Sequence, residues 1–174
     1  MQKSKILPSL SNHYNPEDDP TGCPEKCWVF IDNSNLIIEG QKFFARDQTL
    51  LVPADPRARV DMGLLCDHVI NRRSTGRFRA WLFGSGPPAN DTLWEAIRKK
   101  SIDVHVSSRK TVSRKEKNVD TKLVFLATCE ACSNEDIGGI FIFISGDRDY
   151  LDTIKGIIKM GFTFEVYTWK KSML

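Results

Sequence analysis

The feature that most constrains this chain is a five-residue apolar run, Ile140-Phe-Ile-Phe-Ile144, followed at once by Ser145-Gly-Asp-Arg-Asp-Tyr150. The run is β-branched and aromatic throughout and too short for a typical helix. That is the signature of a strand buried on both faces of a parallel sheet. Beyond the Ser-Gly break stand three carboxylates, Asp147, Asp149 and Asp152. Leu151, Ile154, Ile157, Ile158 and Met160 then recur at helical spacing, with Gly161 placed as a C-terminal cap. Asp147 and Asp149 are therefore expected on a strand-to-helix turn, at the edge where open α/β sheets bind ligands.

The same pattern occurs nearer the start. Trp28-Val-Phe-Ile31 runs straight into Asp32-Asn-Ser-Asn35. Asp32 or Asn35 can be read as a cap for a helix from Leu36 to Arg46. The repeated strand-then-Asp pattern also sets Asp32 beside Asp147 at one sheet edge. Phe78 to Phe83 reads as a third strand, ending in Gly84-Ser-Gly-Pro-Pro88, a loop without the Lys-Ser/Thr tail of a P-loop. A helix is expected from Asp61, an N-terminal charge or cap, to about Arg73. Another follows Asn90 or Asp91 through Trp94, Ile97 and Lys100. Ile102 to Val106 and Phe162 to Thr168 read as strands, and an amphipathic helix starts at Val119-Asp120. This alternation predicts a three-layer α/β/α sandwich around a central, mainly parallel sheet.

With 174 residues, 41% of them hydrophobic and 27% charged, the chain suits one core and one domain. Residues 1–26 hold prolines and no periodicity and are expected to be a flexible lead-in, with the domain at 27–170. No apolar run is long enough to span a bilayer, which predicts no membrane partner. Five cysteines are an odd number, and a chain of this size needs no staples. An intracellular, cytoplasmic protein with reduced thiols is expected, the nucleus being left open. Zinc held by Cys23, Cys27, Cys129 and Cys132 is disfavoured against packed free thiols, because the second pair falls in a helix and Cys27 abuts a strand. The net charge of +3 singles out no partner and no oligomeric state.

Two carboxylates about 4 Å apart repel by about 4 kcal/mol at an effective dielectric near 20. A cluster of aspartates at one sheet edge should therefore hold a cation or share a proton. An all-oxygen donor set favours Mg²⁺ or Mn²⁺ over Zn²⁺, and such ions serve phosphodiester hydrolysis. Val29-Phe-Ile-Asp-Asn-Ser-Asn35, Arg59-Val-Asp61, Leu82-Phe-Gly-Ser-Gly-Pro-Pro88, Val119-Asp120 and Ser145-Gly-Asp-Arg-Asp-Tyr150 together resemble the NYN domain of the PIN-like nuclease superfamily. The resemblance runs from about Trp28 to Trp169. It implies a PIN-like sandwich and metal-dependent RNA cleavage by Asp32, Asp120, Asp147 and Asp149, which are both catalytic residues and metal ligands. Asn33, Asn35 and Ser145 would lie close to the metal or phosphate.

Two rivals remain beside the nuclease. One is an RNA- or protein-binding module without turnover, since a fold does not fix a function. The other is a haloacid dehalogenase-type phosphatase with Asp32 as nucleophile, disfavoured because Ser34 stands where that family has a second acid. For the substrate, single-stranded RNA is favoured by the resemblance. From Arg109 to Lys122 six basic residues face two acidic ones, and Arg109, Lys110, Arg114, Lys115, Lys117 and Lys122 are candidate phosphate contacts. Arg72-Arg73 with Arg77 and Arg79, and Arg98-Lys99-Lys100, are further candidates.

Overall fold

In a computed structural model that describes residues 2–6, 26–70, 77–85, 92–107 and 116–169, the apolar runs assemble into one six-stranded sheet. In chain order the elements are β1 (Gln2–Ile6), β2 (Lys26–Asp32), α1 (Asn33–Asp47), α2 (Met62–Ile70), β3 (Arg77–Ser85) and α3 (Thr92–Arg98). There follow β4 (Ile102–Ser107), α4 (Glu116–Ser133), β5 (Ile140–Ile144), a 3-10 turn (Arg148–Tyr150), α5 (Leu151–Lys159) and β6 (Thr163–Thr168). The spatial order is β1-β6-β5-β2-β3-β4. The five strands from β6 to β4 are parallel to their neighbours, and β1 closes the β6 side antiparallel. The expected three-layer α/β/α sandwich is what forms.

The unbroken apolar strands conceal a period-two code. Cys27, Val29, Ile31, Ala80, Leu82, Ile140, Ile142 and Ile144 face one side, against α1, α2 and α3. Trp28, Phe30, Trp81, Phe83, Phe141 and Phe143 face the other, against α4 and α5. Successive side chains of a strand alternate between faces, so one face is aliphatic and the other aromatic. The aromatic rings interlock, with Phe30 stacked on Trp81 at 4.9 Å and Trp28 on Phe141 at 5.0 Å.

Several expectations are corrected here. Gln2–Ile6, assigned to a flexible lead-in, is a strand paired with β6; residues 7–25 lie outside the described residues. Helix α1 starts at Asn33 rather than Leu36, because the Asp32 side chain caps it by accepting from the Asn35 N–H at 3.0 Å. Helix α4 starts at Glu116, which moves Asp120 from a helix start into the second turn. Asp61 is a cap, accepting from the Leu64 N–H at 3.0 Å. The expected cap at Asn90 or Asp91 lies outside the described residues.

The thiols divide unevenly. Cys27 and Cys66 are buried on the aliphatic side, where burial pushes the Cys66 thiol up to about 11. Cys129 and Cys132 are exposed on α4, on the opposite layer, so the expectation of packed thiols fails for them. Cys27 cannot share an ion with that pair through the sheet.

A candidate acidic active site at the strand ends

Parity along the strands decides where each site residue goes. Asp32 follows Phe30 by two positions and so leaves the sheet on the aromatic side, beneath the first turns of α4. Asp32 is 3% exposed. One oxygen is committed to the α1 cap; the other accepts from the Ser145 hydroxyl at 3.2 Å and contacts the Tyr150 hydroxyl at 3.2 Å. The Tyr150 hydroxyl also lies 2.9 Å from Asp120 Oδ1. These contacts, laid end to end, put the two carboxylate oxygens no more than about 6 Å apart, where two anions repel by about 3 kcal/mol at an effective dielectric near 20.

The turn after β5 is built from the same residues. Ser145 Oγ accepts from the Asp147 N–H at 3.1 Å while donating to Asp32. Asp147 caps the 3-10 turn by accepting from the Asp149 N–H at 3.0 Å. Asn35 Oδ1 accepts from the Gly146 N–H at 2.8 Å, tying the β2–α1 turn to the β5 turn. Asp147 is half-buried and Asp149 exposed.

Electrostatics joins the four acids into one group. Burial is the main cause that raises the Asp32 carboxyl above its ordinary value, with Asp147 adding to it against the lowering by hydrogen bonds. Asp120 is raised too, first by burial and then by the charges of Asp32, Asp147 and Asp149. Tyr150, 1% exposed, is raised far above an ordinary phenol by burial and by both carboxylates. In charge and donor type the site suits a hard divalent ion. Its spacing is open: among the described residues no three His, Cys, Asp or Glu side chains stand ready to hold one.

The remaining expected residues separate. Asn33 is buried against Gly84, where an added Cβ would sit 3.3 Å from its amide nitrogen, and Gly84 shares the parity of the aliphatic face. Its Oδ1 has no partner among the described residues. Arg109, Lys110, Arg114 and Lys115 lie outside the described residues, as do Arg72 and Arg73, and the side chains of Lys117 and Arg77 are likewise outside them. Lys122 is exposed on α4. Arg79 is bound to Glu130 at 2.9 Å near the start of β3, and Arg98 ends α3 just before β4 starts. Arg79 and Arg98 thus lie at the edge away from the carboxylates. Asp152 is fully solvated and 3.6 Å from Lys155. The residue that sequence reasoning missed is Tyr150; it closes the Ser-Gly-Asp-Arg-Asp-Tyr motif, and its spacing from Asp147 gave the signal.

The profile of the NYN domain family matches residues 26–173. A crystal structure of a protein of unknown function from Vibrio parahaemolyticus is similar at a TM-score of 0.59 and 14% identity, over 87% of this chain and 88% of that one. At that identity the likeness concerns the fold alone. No curated protein matches the chain. Among the described residues no helix is long and apolar enough to cross a membrane.

Proposed function

Because the chain belongs to the NYN domain family, we propose that it is a metal-dependent ribonuclease hydrolysing phosphodiester bonds of single-stranded RNA at Asp32, Asp120, Asp147 and Asp149. The observation that carries this reading is the gathering of Asp32 and Asp120, from a strand end and a separate helix, onto one buried hydroxyl. Structure alone has little reason to hold two acids there, since each is disfavoured as an anion by burial and by its neighbours. A site that stores such opposition is a functional candidate.

Mg²⁺ or Mn²⁺ would supply charge for the phosphate and a more acidic water. Asp32 and Asp147 are the residues that would hold it, both fixed by the turns that carry them. Asp120 and Asp149 would orient the attacking water or help to hold a second ion. Attack makes one phosphorus–oxygen bond and breaks another, and the water's proton leaves to a carboxylate or to solvent. Lys122 and the basic residues from Arg109 to Lys117 offset charge on the scissile and neighbouring phosphates. The phosphatase reading still lacks its second acid, since Ser34 stands at that position.

The test is cleavage of a labelled single-stranded RNA with Mg²⁺ or Mn²⁺, and its arrest by chelator. Asp32→Asn and Asp147→Asn should each lower the rate by at least a hundredfold with the fold intact by circular dichroism. Equal cleavage by both variants would overturn the reading. The open spacing of the acids favours a second one, an RNA- or protein-binding module without turnover. RNA binding without metal-stimulated cleavage would select it.

A further inference from the structure

The aromatic face carries one more row of residues at the site edge. In the strand register Asp32 of β2 lies opposite Phe83 of β3, and Phe83 lies opposite His105 of β4. All three share one face, because Val104 and Val106 on either side of His105 pack on the aliphatic side. With strands about 4.8 Å apart, His105 stands about 10 Å from Asp32 across the sheet. The imidazole lies flat on Phe83, with ring centroids 5.0 Å apart and planes 9° from parallel. Phe83 is buried at 1% exposure, whereas His105 is exposed. Among the described residues strand β4 ends the sheet, with no further strand beside it. Helix α4 packs on β4 and brings exposed Lys122 within electrostatic range of His105, two residues beyond Asp120.

We propose that His105 and Lys122 form a nucleotide subsite, with His105 stacking a base one position from the scissile phosphate and Lys122 contacting a backbone phosphate. A flat ring with one face seated on a buried aromatic and the other side toward solvent is a platform for an unpaired base. Burial and the nearby Lys122 ammonium hold the imidazole below its ordinary value against the opposing pull of Asp103, which favours the neutral ring. Neutrality suits it to stacking, while Lys122 supplies the charge. Every base has a π-face, so the subsite confers preference by stacking strength, purines over pyrimidines, without reading sequence. This inference rests on the RNA reading above and gives that substrate an orientation, from the acids toward β4.

The test is fluorescence anisotropy with labelled oligoadenylate and oligouridylate of about eight nucleotides, in chelator so that nothing is cut. His105→Ala should weaken oligoadenylate binding about tenfold and oligouridylate less, with an unchanged salt slope. His105→Phe, which keeps a stacking ring, should bind as the wild type does. Lys122→Ala should weaken both and reduce the salt slope by about one. Equal affinity of wild type and His105→Ala for both oligomers overturns the subsite while leaving the nuclease reading standing. A wild-type protein that binds neither oligomer overturns both.

Discussion

A phenol has one proton to give, and Tyr150 faces two carboxyl oxygens. In the metal-free protein it donates to one of them, and the other contact is favourable only if that carboxyl carries a proton of its own. Burial first, and then the neighbouring carboxylates, raise Asp32 and Asp120, while the Tyr150 hydroxyl acts against the rise. A raised folded value means the folded state binds protons more tightly than the unfolded chain. Its contribution is therefore a penalty that is absent at low pH and grows as pH rises from the unfolded value, near 4, through the folded one. Asp120→Asn should accordingly gain stability relative to wild type as pH goes from about 4 to 7, in chelator, by urea denaturation. A constant difference across that range would show that the charge is not opposed. Tyr150→Phe keeps the ring, which packs edge-on to Phe143 at 5.6 Å, and removes only the hydroxyl. Stability should fall by about 1–2 kcal/mol at pH 7. The Mn²⁺ concentration for half-maximal cleavage should rise severalfold at saturating RNA, a change that lost packing would not produce.

At the level of elements, the strands, their direction and the edge that collects Asp32, Asp147 and Asp149 were legible because short apolar runs ending in Asp or Gly have few other uses. The faces were not read, although the signal was present. Alternation of aliphatic and aromatic residues in Val29-Phe30-Ile31 and Ile140-Phe-Ile-Phe-Ile144 assigns Asp32 and Ser145 to the aromatic side, and so to α4. Asn33 shows the limit of motif reading. It adjoins Asp32 in sequence, yet the turn into α1 carries it to Gly84 instead. Pairings such as Tyr150 with Asp120 depend on how α4 settles over the sheet, which no local pattern encodes. Helix α1 has a similar long-range constraint at Gly40. Glycine inside a helix ordinarily costs about 0.5–1 kcal/mol against alanine. Here an added Cβ would stand 2.9 Å from the Trp169 ring, which is stacked on Phe43 and donates to the Leu36 carbonyl at 2.9 Å. Gly40→Ala should therefore lower stability, by about 1–2 kcal/mol in urea denaturation. A gain would mean that Trp169 moves aside freely.

For the molecule as a whole, charge is arranged by edge. Helix α3 and the start of β3 place Arg98 and Arg79 away from the acids, whereas β4 ends at Ser107 and α4 begins at Glu116 at the acidic edge. Reversing the charges of Arg114, Lys115 and Lys117 together should weaken RNA binding and lower the salt slope by about two to three, because fewer phosphate counterions are released. An unchanged slope would assign that run to solvent alone. The sorting of side chains by layer also has an optical consequence. Of the four tryptophans, Trp28 and Trp81 belong to the α4–α5 side, while Trp94 and Trp169 belong to the α1–α3 side. Each layer thus carries its own pair of fluorophores. With either pair replaced by phenylalanine, the emission of the protein reports one side of the sheet, and the two layers can be watched coming apart together or in turn.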